Sequence, residues 1–212
     1  MILTQHGMNS IDLGGGGGGD TVEIGGKVYR AVQMPDGNIW LGENLDYQFP
    51  GCVIGASGDS DTEPRGNYYD NDEELWGWNG RKCGLLYNYP AVQYMNDHCG
   101  TLFPGWHVAT NTEWNDLDGA LGGYSGDSGS KISAVRADWM VSSWRGTDDY
   151  GFTGLPGGDY GYGSFYGGGE YAEFWTGTEG DYAAIAYTAT ESYIQIDYNE
   201  LFVQYYVRLV KD

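Results

Sequence analysis

The residues of this chain best suited to catalysis or metal binding are three cysteines, two interior histidines and a run of carboxylates. Cys52, Cys83 and Cys99 show no CxxC spacing, so neither a zinc site nor a redox pair is indicated. Three thiols cannot all pair within one chain. Cys83 and Cys99 flank a predicted helix, and two readings stand for them: a bridge across that helix or small buried thiols. His98 precedes Cys99 and His107 lies in GWHV, with no Ser or Cys nucleophile beside either. An isolated histidine usually holds structure through one ring nitrogen. Asp59, Asp61, Glu63, Asp70, Asp72, Glu73 and Glu74 have the oxygens for calcium, which takes six to eight, but not the spacing of an EF-hand. A solvated acidic loop is the simpler reading. P-loop, GxSxG and HExxH motifs are absent, and Gly161-x-Gly163 is not followed by a helix. The expectation is a protein with no catalytic residue, no metal and no cofactor.

What remains is binding. Thirty acidic against ten basic residues give a formal charge of −20, which argues against nucleic acid and anionic membrane as partners. No stretch approaches the 18 apolar residues of a membrane-spanning helix, so membrane insertion is not expected. Residues 146–207 carry no Lys or Arg, yet hold ten acidic residues and eleven of the 19 tyrosines. Within them Gly157 to Gly169 (GGDYGYGSFYGGG) reads as a Gly/Tyr loop. Tyr, Gly, Ser, Thr and Asp are what antibody paratopes use, because tyrosine offers wide amphipathic contact at little entropic cost. The alternative is that the rings pack on one another and build the loops of a structural or assembly domain.

The elements that would position such a surface can be read from pattern. Residues 1–19 end in six glycines and read as a flexible tether, leaving 20–212 as one domain. That segment shows neither the basic nor the apolar region of a secretory signal. Residues 21–34 predict a hairpin turning at Gly25-Gly26, and Asn38 to Leu45 a further strand. Residues 51–82 predict an extended acidic loop. A helix is expected over Pro90 to Asp97, and a second from Thr110. There Thr110-x-x-Glu113 forms a capping box, Trp114, Leu117 and Leu121 follow at helical spacing, and Gly122-Gly123 stop the run. Ser130 to Trp139 suggests one or two more helical turns. Near the end, Ile194 and Ile196 alternate with Gln195 and Asp197. A turn at Asp197 to Glu200 then leads into a period-2 strand through Leu209, giving a C-terminal hairpin. The order implies an α+β fold with an antiparallel sheet and long irregular loops. Trp106, Trp114, Trp139 and Trp175 are the expected core anchors.

The ordered series VYRAVQMPDGNIWLGENL, CGLLYNYPAV, LFPGWHVATNTEW, GFTGLPGG, FWTGTE and YVRLVKD resembles the Fibrobacter succinogenes major paralogous domain over about residues 21–212. That resemblance implies a C-type lectin-like fold, with adjacent terminal strands and irregular late segments forming a display face. Trp114-Asn115-Asp116 spells the triplet of calcium-dependent sugar-binding lectins. It lies inside a capped helix instead of on a late strand, so sugar-bound calcium is not expected there. Relatives of the formylglycine-generating type bind copper through C-terminal cysteines, and no cysteine follows Cys99; such an enzyme is the disfavoured alternative.

Residues 151–212 also resemble the variable region of proteins diversified by retroelements in phages and bacteria, where Asn codons become Tyr, Ser, Asp, Gly, Thr or Ala. Tyr160, Tyr162, Ser164, Tyr166, Tyr171, Asp181, Tyr182, Tyr187, Thr190, Tyr193, Asp197, Tyr198 and Asn199 belong to that set and are the implied ligand-binding positions. Glu173, Glu191, Gln195, Glu200 and Gln204 do not, so they must be fixed, and Glu173, Glu191 and Gln204 are expected to support or border the face. Phe152, Leu155, Pro156, Phe165, Phe174 and Trp175 read as scaffold. The implied role is a display protein on a virion or bacterial surface, binding a protein or glycan receptor on a target cell, with the N-terminal segment attached to a carrier.

Overall fold

Gly25 and Gly26 sit at φ 60° and 80°, the left-handed pair that a two-residue hairpin turn requires. They join β1 (Thr21–Ile24) to β2 (Lys27–Gln33), as the sequence predicts. The computed structural model describes residues 20–55, 58–74, 82–138, 140–178, 183–188 and 193–212. β3 (Ile39–Leu41) pairs with β2, a shorter strand than the pattern suggested. β4 (Val53–Ile54) and β5 (Arg65–Asn67) run parallel, and β5 pairs antiparallel with β6 (Leu86–Tyr87). The acidic stretch is thus partly pinned, although Asp59, Asp61, Glu63 and Asp70 to Glu74 remain at the surface.

Helix α1 (Tyr89–Leu102) is capped by Asn88, whose side chain accepts from the Ala91 N–H, with Pro90 in the first turn. It runs five residues past the expected end, through poor helix formers. Cys99 and Leu102 in that last stretch pack against the core, and within the helix Tyr94 stacks on His98 at 4.1 Å. After β7 (Trp106–Val108) comes α2 (Asn111–Leu121), with the capping box formed and Gly122 closing it at φ 98°. Two short helices follow, α3 (Gly123–Gly126) and α4 (Ser128–Ile132). The helical turns suggested over 130–139 therefore lie earlier, and Trp139 falls outside the described residues.

The second half forms β8 (Asp159–Gly161), β9 (Ser164–Tyr166), β10 (Ala172–Trp175), β11 (Ala183–Thr188), β12 (Gln195–Asn199) and β13 (Leu209–Lys211). The main sheet is antiparallel, in the order β1-β2-β3-β13-β7; β10-β11-β12 form a second sheet and β8-β9 a two-stranded ribbon. First and last strands share the main sheet as expected, but β2 and β3 separate β1 from β13 and the two are not adjacent. The expected C-terminal hairpin does not form, since β12 pairs with β11 whereas β13 pairs with β3 and β7. Residues 203–210 are all buried, which explains the failure of a one-sided alternation. This segment threads the interior and bridges on both sides, Gln204 to Tyr160, Tyr205 to Tyr87 and Tyr206 to Phe174.

Two apolar clusters flank that thread. One joins Leu41, Tyr87, Tyr89, Val92 and Trp175. The other centres on Trp40, Trp114, Phe152 and Phe174, with Trp40 and Trp114 edge-to-face at 4.8 Å. Trp106, Trp114 and Trp175 are core as expected, and Trp144 joins them. Cys52, Cys83 and Cys99 form no disulfide; burial pushes the first two up to about 12, so they behave as small core residues. His107 uses both ring nitrogens, pairing with Glu113 at 2.8 Å and Asp212 at 2.7 Å. Among the described residues no helix is long and apolar enough to cross a membrane.

Candidate binding face

The Gly/Tyr stretch is a hairpin and not a loop. Tyr162 and Gly163 turn it with φ of 52° and 75°, and β8 and β9 pair from Asp159↔Tyr166 to Gly161↔Ser164. The hairpin is fastened from beneath, because the Tyr160 and Gln204 backbones exchange hydrogen bonds of 3.2 and 2.7 Å. Gly157 is needed at its base: a Cβ there would lie 2.2 Å from the Tyr206 hydroxyl oxygen, which belongs to the buried thread. What projects outward is aromatic. Tyr162 is 67% exposed, Tyr166 49% and Tyr171 39%, with Ser164 exposed between them. The Tyr162 ring packs edge-on against Phe202 at 5.0 Å and its hydroxyl donates to Glu200.

On β12, Tyr198 is 62% exposed and Asp197 is exposed, while the half-buried Asn199 donates to the Tyr205 hydroxyl. Asp197 and Tyr162 both act electrostatically on Tyr205, so this end of β12 and the hairpin turn meet over one buried phenol. Asp59 and Glu200 act likewise on Tyr162, and the bond to Glu200 holds its phenol above the usual range. Glu170 is a further exposed carboxylate beside Tyr171. The result is a set of exposed rings among carboxylates.

Beneath lies a pair of carboxyl groups, Asp159 of β8 and Glu173 of β10. Burial raises both above the usual carboxylate range, and the charge and hydrogen bond of Asp159 raise Glu173 further. Two carboxyls that interact in this way titrate as a unit, with the neutral form favoured. The Glu173 carboxyl thus has Asp159 as its hydrogen-bonding partner.

A family model described as the Fibrobacter succinogenes major domain matches residues 36–211. The chain belongs to that family. No curated protein and no solved structure matches it. The span matched to the Fibrobacter succinogenes major domain includes every candidate binding residue, and within it three of the ordered sequence motifs hold the surrounding scaffold. Asn88, in LLYNYPAV, caps α1 and also holds the 58–65 loop, donating to the Ser60 and Glu63 carbonyls at 2.9 and 2.8 Å. Arg208, in YVRLVKD, is fully buried and donates to the carbonyls of Leu41, Phe152 and Thr153 and to Asn44 Oδ1. Thr153, in GFTGLPGG, sits at φ 53°; its hydroxyl donates to Asp148 and accepts from Arg30.

Of the thirteen residues singled out from the sequence, Tyr162, Ser164, Tyr166, Tyr171, Asp197 and Tyr198 are exposed. Tyr160 is a correction: it is 6% exposed, packed on Phe165 at 4.8 Å, because β8 turns its ring inward toward the thread. Asn199 is half-buried against Tyr205. Tyr193 is half-buried against Tyr124, which lies in α3 and apart from the hairpin. Asp181, Tyr182 and Thr190 lie outside the described residues, as does the side chain of Tyr187, whose backbone stands opposite Glu173. Among the supporting positions, Gln204 is buried and accepts from Asn67, and Glu173 is half of the carboxyl pair; Glu191 is outside the described residues. Sequence reasoning missed Asp159, Phe202 and Tyr124. Only the parity of the 159–161 strand could have flagged the first, and a hairpin reading of the glycine run was needed to use it.

Proposed function

We propose that this chain is a ligand-binding display protein that engages a protein or glycan receptor through its tyrosine-rich C-terminal face. The observation that carries the reading is the exposure of Tyr162 and Tyr166 on a hairpin whose backbone is fastened to a fully buried thread, with Tyr198 exposed on β12. Exposed rings of this size gain little stability for the domain and large contact area for a partner. Rigid mounting spares a partner the entropy of ordering the site. A C-type lectin-like arrangement accords with a sheet that gathers both chain ends and leaves late segments outside. In that arrangement the face is the variable region of a retroelement-diversified protein carried on a virion or bacterial surface, and it has no enzymatic role. Membership of the Fibrobacter succinogenes major domain family is compatible with this role and does not specify it.

Sequencing the gene across its native population tests the reading. Substitutions should concentrate at Tyr162, Ser164, Tyr166, Tyr171 and Tyr198 and spare Phe174, Trp175 and Arg208. Variation spread evenly along the chain would refute diversification. A chain with Tyr162, Tyr166 and Tyr198 all replaced by Ala should keep its melting temperature and lose adhesion to target cells; unchanged adhesion would refute the display role.

A further inference from the structure

We propose that the receptor docks by adding an extended polypeptide strand to the open edge of β12, alongside Ile196 to Tyr198. The inference rests on the display reading and narrows its receptor to a protein that presents an extended segment. The direction of each backbone group follows from the hydrogen bonds at the other side of the second sheet. The Trp175 N–H donates to the Tyr206 carbonyl at 2.9 Å and the Glu173 carbonyl accepts from the Tyr206 N–H at 3.2 Å, so these two residues of β10 face the thread. Alternation then turns the backbones of Ala172 and Phe174 toward β11, opposite Thr188 and Ala186. One step further, the backbones of Ile185 and Tyr187 turn toward β12, opposite Asp197 and Gln195. Ile196 and Tyr198 therefore direct their N–H and C=O groups away from the sheet. A second observation agrees: the Tyr198 N–H is held at 2.8 Å by the side chain of Asp197. Among the described residues no strand lies beyond β12, which ends the order β10-β11-β12.

At five residues β12 is the longest edge strand among the described elements, and it is continuous with the tyrosine face. β8 takes the backbone of Gln204 and β10 that of Tyr206, two residues on, so the hairpin and the second sheet leave the thread on one side. Tyr198, 62% exposed, and the exposed Asp197 stand on the edge strand itself. Donors and acceptors alternating at strand spacing are what a peptide backbone offers and a glycan does not. Charge then decides between a foreign strand and a second copy. Residues 146–207 have no Lys or Arg, and Asp197 and Glu200 are exposed here. Pairing two such edges would set like charges together on chains that each carry −20. A strand bearing Lys or Arg meets complementary charge instead. The main chain gives affinity whatever side chains the face carries, while Tyr198 and Asp197 select among partners.

The test uses the full chain and a capped probe peptide, acetyl-Thr-Lys-Val-Lys-Val-Thr-amide, beside a counterpart N-methylated at its four central residues. The counterpart keeps charge and side chains and loses the donors of a ladder. Backbone amide resonances are followed by NMR. The probe should shift the Ile196, Asp197 and Tyr198 amides and slow exchange of the Ile196 N–H about tenfold, and the methylated peptide should do neither. Ile196→Pro removes the outward donor and leaves the β11 ladder intact, whereas Ile196→Ala keeps the donor and loses the same packing. The two variants should melt alike, and only the proline chain should lose about tenfold in affinity for the probe. No response at β12, an equal response to the methylated peptide, or equal losses in the two variants would overturn the inference. Self-association through β12 without peptide, read by sedimentation, would give the edge to a second copy and overturn it too. The wild-type mapping decides the matter where the proline chain unfolds. Adhesion to target cells keeps the two readings apart. If the triple Tyr→Ala chain loses adhesion while Ile196→Pro adheres as Ile196→Ala does, the edge inference falls and the display role stands. If the triple variant adheres normally, the display role falls, and with it receptor docking at this edge.

Discussion

Replacing Arg208 by Met should be among the most damaging single changes in the chain outside its large aromatic core. The guanidinium is completely buried, 4.1 Å from the Phe152 ring centroid, and donates to three backbone carbonyls and to Asn44 Oδ1 at 2.7 to 3.0 Å. Methionine preserves the aliphatic stem and removes every donor. Each buried acceptor left without a donor costs about 1–3 kcal/mol, and the four together set the gross loss. Part is returned, because a buried charge carries a desolvation penalty of several kcal/mol that the neutral variant escapes. The net expectation is a loss of about 3 kcal/mol, which at about 2–4 °C per kcal/mol for a domain of this size lowers Tm by about 6–12 °C. Lysine keeps the charge and three donors but not the planar fork, and should recover only part of this. Urea unfolding of both variants, followed by tryptophan fluorescence, reads the difference. If Arg208→Met unfolds within about 0.5 kcal/mol of the wild type, the ordinary range for a surface position, the anchoring role assigned to Arg208 is wrong.

Four further outcomes follow from named contacts. The bond to Glu113, followed by that to Asp212, raises His107 to about 9 from 6.5, so its contribution is complete below pH 6.5 and lost as pH rises through about 9. His107→Gln should therefore cost about 1–2 kcal/mol at pH 6, allowing for solvent screening, and nearly nothing above pH 9.5; equal loss at both pH values in chemical denaturation would disprove the pairing. Glu173 is raised above its ordinary range by burial and then by Asp159, so the wild type should lose stability as pH climbs from the carboxylate range into the alkaline. Glu173→Gln should flatten that decline and gain on the order of 1 kcal/mol at pH 9 in urea titrations; a parallel decline would show that the pair is not the cause. Tyr160→Ala should cost about 2–4 kcal/mol by opening the core, whereas Tyr162→Ala should stay within about 0.5 kcal/mol, and thermal melts showing the reverse order would contradict the burial of these two rings. Tyr162→Asn should raise stability by about 0.5–1 kcal/mol, because asparagine accepts the left-handed turn that tyrosine occupies under strain, and a lower melting temperature would rule out the strain argument.

Local signals were legible and long-range ones were not. The Gly25-Gly26 turn, the Thr110 capping box and the Gly122 stop depend on residues within four positions, and each forms as written. The 201–209 segment misled because alternating apolar residues look one-sided in isolation, although Gln204 and Arg208 are as buried as Val203 and Leu209. Their polar groups are satisfied by Asn67, Asn44 and the 152–153 carbonyls, partners 55 to 164 residues away that no local pattern reveals. Glycine density suggested a loop at 157–169 where a hairpin stands, since a tight two-residue turn uses the same residues as irregular chain. The face was therefore legible as a composition and not as a geometry. Tyr160 and Tyr162 are the same residue type two positions apart, yet the hairpin sends one ring inward and the other out.

That divergence bears on how one backbone could tolerate change at its surface. Tyr162 occupies a position for which Asn, Asp and Gly are the least strained residues, and all three lie in the set that an Asn codon can reach. A tyrosine there sacrifices some local stability, and its ring meets Phe202 and its hydroxyl Glu200, both themselves at or near the surface. Such strain persists only where surrounding structure fixes the turn, which here means the paired backbones of Tyr160 and Gln204 and the base at Gly157. The fastening acts through backbone atoms and is indifferent to the side chain at 162. A partner that gains from a large exposed ring would supply a reason to keep it. A purely structural domain would be better served by asparagine. The Tyr162→Asn chain therefore separates the two roles, since a gain in stability accompanied by a loss of adhesion is an outcome only the display role anticipates.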